Sequence, residues 1–140
     1  MNKLFSGIVL IAILMLSLTG CETDNTTLLT DGVWKFSNMT TDSDDETIAG
    51  FIALGKALLT DATMEFQSGG DYIMDSPLLD DPVSGSWSLI GDDQLILDAD
   101  DQAPSTANIE TLTKDKLKYI ETYVDENMDS YNVTTTWTRD

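Results

Sequence analysis

From Val33 onward, apolar and polar residues alternate in a series of short runs, and most runs end in a turn rich in glycine or aspartate. A period of two puts successive side chains on opposite faces of an extended chain, so each run reads as a strand with one face for a core. Val33 to Met39 sets Trp34 and Phe36 against Lys35 and Ser37, and Ala62 to Gln67 sets Met64 and Phe66 against Thr63 and Glu65. Ser68-Gly69-Gly70-Asp71 then turns the chain into Tyr72 to Asp75, which is a hairpin signature. Ser84 to Ile90 carries Trp87 and Leu89 on one face, and Gly91-Asp92-Asp93 turns it into Gln94 to Asp98. Thr106 to Leu112, Lys116 to Val124 and Tyr131 to Arg139 complete the series; Leu117, Tyr119 and Tyr123 share a face of the second of these. Eight strands with mostly tight connections predict an all-β, antiparallel barrel or sandwich. A closed up-and-down barrel is the simpler expectation, because closure leaves no unpaired edge.

One segment breaks the alternation, between the first and second strands. Glu46 to Leu59 places Ile48, Phe51, Ile52, Leu58 and Leu59 at helical spacing, and Ser43 with Glu46 reads as a capping box. Lys56 is the one charged residue between Ile48 and Thr60. A helix that apolar needs a cover. It is expected to plug or cap the barrel, or to act as a lid over a ligand cavity. A membrane-surface role is disfavoured, since such helices usually carry a basic face.

The front of the chain has a different character. Met1, Asn2 and Lys3 precede an apolar run from Leu4 to Leu18, interrupted by Ser6, Gly7 and Ser17. As a helix this run of roughly 15 residues would rise about 22 Å, short of the roughly 30 Å of a bilayer core. The pattern describes a secretory signal. Leu18-Thr19-Gly20-Cys21 resembles the lipobox of bacterial lipoproteins, which implies that residues 1–20 are removed and that Cys21, the only cysteine, becomes the acylated first residue. Each buried methylene of an acyl chain contributes about 0.8 kcal/mol, and two or more chains anchor stably. An acylated Cys21 leaves no thiol for a disulfide or a metal. Residues 21–30 then read as the acylated cysteine and a polar tether, and 31–140 as the barrel domain. Glu22 and Asp24 loosely resemble the signal that sends some Bacteroidetes lipoproteins to the outer face of the outer membrane. The expected location is therefore the cell envelope, on the outer membrane, with the periplasmic or surface face left open.

Charge narrows the partners. The formal net charge is -18, with 25 acidic residues against 7 basic ones, and every acidic residue lies beyond residue 20. Such a field repels nucleic acid and anionic head groups. The acids sit in clusters such as Asp42 to Glu46 and Asp98 to Asp101, between apolar segments, and read as solvated turns. Asp98, Asp100 and Gln102 have the first spacings of a calcium loop. Ala103 stands where the EF-hand needs glycine, however, and Ile109 where it needs glutamate. Adventitious calcium binding between adjacent acidic loops stays open. There is no histidine, and no nucleophile elbow, phosphate loop or zinc motif. Neither catalysis, a metal nor a cofactor is expected.

Gly32-Val33-Trp34 opens the first strand, and the last strand ends Trp137-Thr138-Arg139, which contains the only arginine. This pairing resembles the lipocalins, in which such a tryptophan closes the narrow end of an eight-stranded barrel and stacks on such an arginine. The order LLTDGVWKF (28–36), FQSGGDY (66–72), GSWSLIGDDQLIL (85–97) and IETLTKDKL (109–117) is similar to the lipocalin-like domain of Bacteroidetes lipoproteins. The resemblance implies barrel closure by Gly32, Trp34 and Arg139. It also implies a binding protein for a small apolar ligand; by alternation, Met64, Phe66, Trp87, Tyr119 and Tyr123 are the residues that would line its site, unless they are simply packed core. The alternative is a filled-core interaction module that presents loops to a protein or glycan partner.

Overall fold

The structure, a computed structural model, describes residues 24–140, so the leader and Cys21 lie outside the described residues. A short helix, α1 (Asn25–Thr30), leads into β1 (Val33–Thr41), and a longer helix, α2 (Glu46–Leu58), separates β1 from β2 (Thr63–Phe66). The chain continues through β3 (Asp71–Asp75), β4 (Val83–Ile90), β5 (Gln94–Ala99), β6 (Ser105–Leu112), β7 (Lys116–Val124) and β8 (Ser130–Thr138). Each strand pairs with the next, antiparallel, and β8 returns to β1 to close the barrel. The all-β, eight-stranded up-and-down barrel with a helical insert after the first strand is thus what the chain forms.

One face of each strand fills the interior. Trp34, Phe66, Leu95, Leu117 and Trp137 are each almost entirely buried and belong to one contiguous core. Phe36 meets Trp137 edge-on with ring centroids 5.6 Å apart, and Phe66 meets Trp87 in the same way, also at 5.6 Å. Edge-to-face contacts of this kind favour the pair beyond the area buried. β4 and β5 approach very closely at Gly85, where a Cβ would stand 2.2 Å from the Asp98 carbonyl oxygen.

The ends of the barrel differ. At one end lie the tight turns after β2, β4 and β6, together with α1. Residues 25–30 correct the tether expectation: they are helical and capped by Asp24, whose carboxylate accepts a hydrogen bond from the Thr26 amide at 3.1 Å. Leu29 has no exposed surface, and its carbonyl accepts the Trp34 indole N–H at 3.0 Å. The Asn25 amide donates to the Asp92 carbonyl in the turn after β4, at 2.7 Å. A segment with only two apolar residues is helical here because the barrel end needs a plug. Gly32 then takes φ of 108°, a conformation that side chains rarely adopt, and swings the chain up into β1.

At the other end β1 outruns β2. It pairs with β2 only over Val33 to Lys35, whereas its pairing with β8 runs on to Thr41. The helix α2 lies against the part of β1 that β2 leaves uncovered, with Gly55 beside the Met39 sulfur. Its N-cap corrects the capping-box reading: Asp45 accepts from the Thr47 and Ile48 amides, while the Ser43 hydroxyl accepts from the Asp45 amide. The Asp42 carboxylate accepts both the backbone and the side-chain N–H of Asn132, at 2.7 and 2.9 Å, and ties the start of this loop to β8. Those bonds, the backbone one first, hold its pKa below the ordinary carboxylate value.

Candidate ligand cavity

Trp34 and Arg139 meet at the plugged end. The guanidinium carbon of Arg139 lies 4.1 Å from the centroid of the Trp34 ring, and its Nε donates to the Lys114 carbonyl. Both residues are buried. Leu29 lies below and Trp137 beside them in the core, so this end is solid. A stacked guanidinium suits such a place because it is planar, permanently charged and weakly hydrated.

Toward the open end the packing gives way to a cavity of about 420 Å³. Its walls come from inward positions of five strands: Met64 on β2, Tyr72 and Met74 on β3, Val83 on β4, Leu97 and Ala99 on β5, and Tyr119, Glu121 and Tyr123 on β7. The loop from Gln102 to Pro104, with Ser105, forms one side of the mouth. The volume falls within the range of small-molecule sites, which run from about 300 to 1,000 Å³.

Of the residues expected to line a site, Met64, Tyr119 and Tyr123 do so. Phe66 and Trp87 do not. They face inward as alternation requires, but they sit lower, against each other, and the Trp87 indole donates to the Gln67 carbonyl at 2.9 Å in the plugged end. They form part of the filled floor. The expected lid is corrected as well, since none of Ile48, Phe51, Ile52, Leu58 and Leu59 lines the cavity. Ile48 is buried and Leu59 packs on the core, whereas Phe51 is 68% exposed. Ile48 and Phe51 instead border a separate cleft of about 280 Å³ with Val124, Asp125 and Tyr131. The helix covers the flank of the barrel because it lies along β1 and not across the mouth.

Sequence reasoning missed Tyr72, Met74, Leu97 and above all Glu121. The signal for Glu121 was present. It shares the row of Leu117, Tyr119 and Tyr123, and its register partners Ala107 and Val133 are buried. Its acidic character argued for the outside, and its position argued for the inside. Glu121 is partly buried and is the only charged residue that lines the cavity among the described residues.

Three phenols surround this carboxylate. Burial, and after it the Glu121 charge, raises the pKa of Tyr119 and of Tyr123 well above the ordinary tyrosine value. Tyr72 is raised by burial first, then by Asp100, Asp98 and Glu121. All three are therefore neutral hydrogen-bonding rings at physiological pH. The Tyr119 hydroxyl accepts the Trp137 indole N–H at 3.3 Å, and Tyr123 stacks on Tyr131 at the rim with centroids 5.8 Å apart. Among the described residues no group of His, Cys, Asp or Glu is arranged to hold a metal ion. No described helix is long and apolar enough to cross a membrane.

Residues 30–119 match the family model of the lipocalin-like domain. Among solved structures, the chain is similar to a DUF4847 family protein from Bacteroides vulgatus, with 12% sequence identity and a TM-score of 0.47, covering 76% of this chain and 93% of that one. No curated protein sequence matches the chain.

Proposed function

The chain belongs to the lipocalin-like domain family, and from that premise we propose that it is a binding protein that holds a small apolar molecule in the cavity at the open end of its barrel. The barrel itself is a fold suited to binding. The observation that carries the finer reading is the contrast between the two ends: a floor filled by Trp34, Phe66, Trp87 and Trp137 beneath about 420 Å³ of unfilled, largely apolar space. An eight-stranded barrel is just wide enough either to fill with side chains or to hold one small ligand, and this one does each over part of its height.

The neutral apolar dye N-phenyl-1-naphthylamine tests this reading. Its fluorescence rises on entering the cavity, and Ala99→Trp, which fills the mouth, abolishes the rise. An equal rise in that variant would place the dye elsewhere and count against the reading.

The protein acts from the cell envelope, attached to the outer membrane through acylated Cys21. Asp24, which caps α1 at the plugged end, follows Cys21 by three residues, which can reach at most about 10 Å. Attachment there holds the plugged end at the lipid and turns the mouth away from it, toward incoming cargo. Metabolic labelling with palmitate should mark the protein and not its Cys21→Ala variant.

A second reading, an interaction module for a protein or glycan partner, draws on the exposed apolar side chains of α2. Phe51 and Leu54 are 68% and 57% exposed on that helix.

A further inference from the structure

We propose that the cargo of this cavity is a cationic amphiphile, an organic amine whose ammonium group sits by Glu121 among the rings of Tyr72, Tyr119 and Tyr123 and whose apolar part lies against Met64, Met74 and Leu97. This rests on the reading of the cavity as a binding site and adds the chemical class of the ligand.

The lining decides the sign of the charge. Glu121 is its one charged residue, and no lysine or arginine among the described residues joins it there. The cations lie elsewhere: Lys118 pairs with Glu110 at 2.7 Å, Lys35 with Asp140 at 3.1 Å, and Arg139 stacks on Trp34 at the plugged end. A fatty acid anion entering the cavity would set a second carboxylate beside the first, with no cation between them. Like charges in a partly desolvated space repel strongly, and one must take up a proton. An ammonium gains instead. It forms a charge-assisted hydrogen bond with the carboxylate, and it meets aromatic faces, whose quadrupole attracts cations. Tyr119 is committed to Trp137 through its hydroxyl, which fixes its ring in place before any ligand arrives.

The apolar wall of the cavity argues for an apolar tail. Met64 and Met74 stand opposite each other on β2 and β3, and Leu97 lies across on β5. Methionine is flexible and polarisable, so a wall of this kind adapts to a chain more readily than to a rigid polar ring. The net charge of -18 draws cations toward the mouth from a distance.

Isothermal titration calorimetry with decylamine, decanol and decanoate separates the contributions, because the three share one apolar chain and differ in the head. The amine is expected to bind at least tenfold more tightly than the alcohol, and decanoate more weakly than either. Glu121→Gln removes the advantage of the amine and leaves decanol unchanged. Glu65→Gln, which deletes the same charge from the exposed outer face of β2, leaves the order intact. If both variants weaken the amine equally, the preference is a property of the overall field and the inference fails. If wild-type protein binds all three alike, the cavity binds apolar chains without a cation site, and only this inference falls. If it binds none of them, the reading of the cavity as a binding site falls with it.

Discussion

Trp34 shows how much one side chain carries in this barrel. It has no exposed surface, its N–H is used by Leu29, and its ring face is covered by Arg139. Trp34→Ala should cost about 3–5 kcal/mol, as a large truncation in a well-packed place. Urea unfolding checks this, and an unchanged midpoint would contradict the role of Trp34 as the closure of the barrel. Arg139→Lys keeps the charge but loses the planar stack, with an expected loss of about 1–2 kcal/mol. Tyr119 gives a prediction in pH. Folding raises its pKa, by burial first, so the folded chain keeps a proton that the unfolded chain releases above pH about 10. Its contribution is constant below that pH and is lost as pH rises beyond it. Unfolding free energy followed from pH about 8 to 11 should therefore fall more steeply in the wild type than in Tyr119→Phe.

Among the elements, the strands were legible and α1 was not. Period-two alternation located all eight strands to within about two residues at each end, a usual margin for such boundaries, and the structure lengthens β1 to Thr41. The six residues of α1, Asn-Thr-Thr-Leu-Leu-Thr, offer no periodicity, and their helix depends on burying Leu29 beneath a tryptophan that only the closed barrel puts there. For α2 the apolar spacing was read correctly, and its placement was not. Sequence shows how apolar a helix is, but not which surface it lies against. At Gly85 on β4 a Cβ would overlap the Asp98 backbone of β5. Gly85→Ala must push the strands apart, with an expected cost of about 1–3 kcal/mol read from the urea midpoint. A midpoint equal to wild type would mean that β4 and β5 are further apart than described.

At the scale of the whole molecule, function depends on height along the barrel axis, and that quantity is nearly invisible in sequence. Phe66 and Met64 obey the same alternation on the same strand, yet one belongs to the solid floor and the other to the cavity wall. What separates them is position along β2: Phe66 ends the strand at the plugged-end turn, and Met64 lies two residues nearer the open end, a direction that only the closed barrel defines. The closing pair was legible because its residues, a tryptophan after glycine and a lone arginine at the far end, are distinctive. Glu121 was hidden because an acid in an acidic protein attracts no notice. The molecule that results is filled at one end and open at the other, with its chain entering at the filled end.

Native mass spectrometry of the protein, after incubation with a bacterial lipid and metabolite extract, tests this most directly. A discrete added mass in the wild type that is lost in Ala99→Trp is the expected result. A clean unliganded mass in both would contradict the cavity as a cargo site and leave the exposed face of α2 as the surface to pursue.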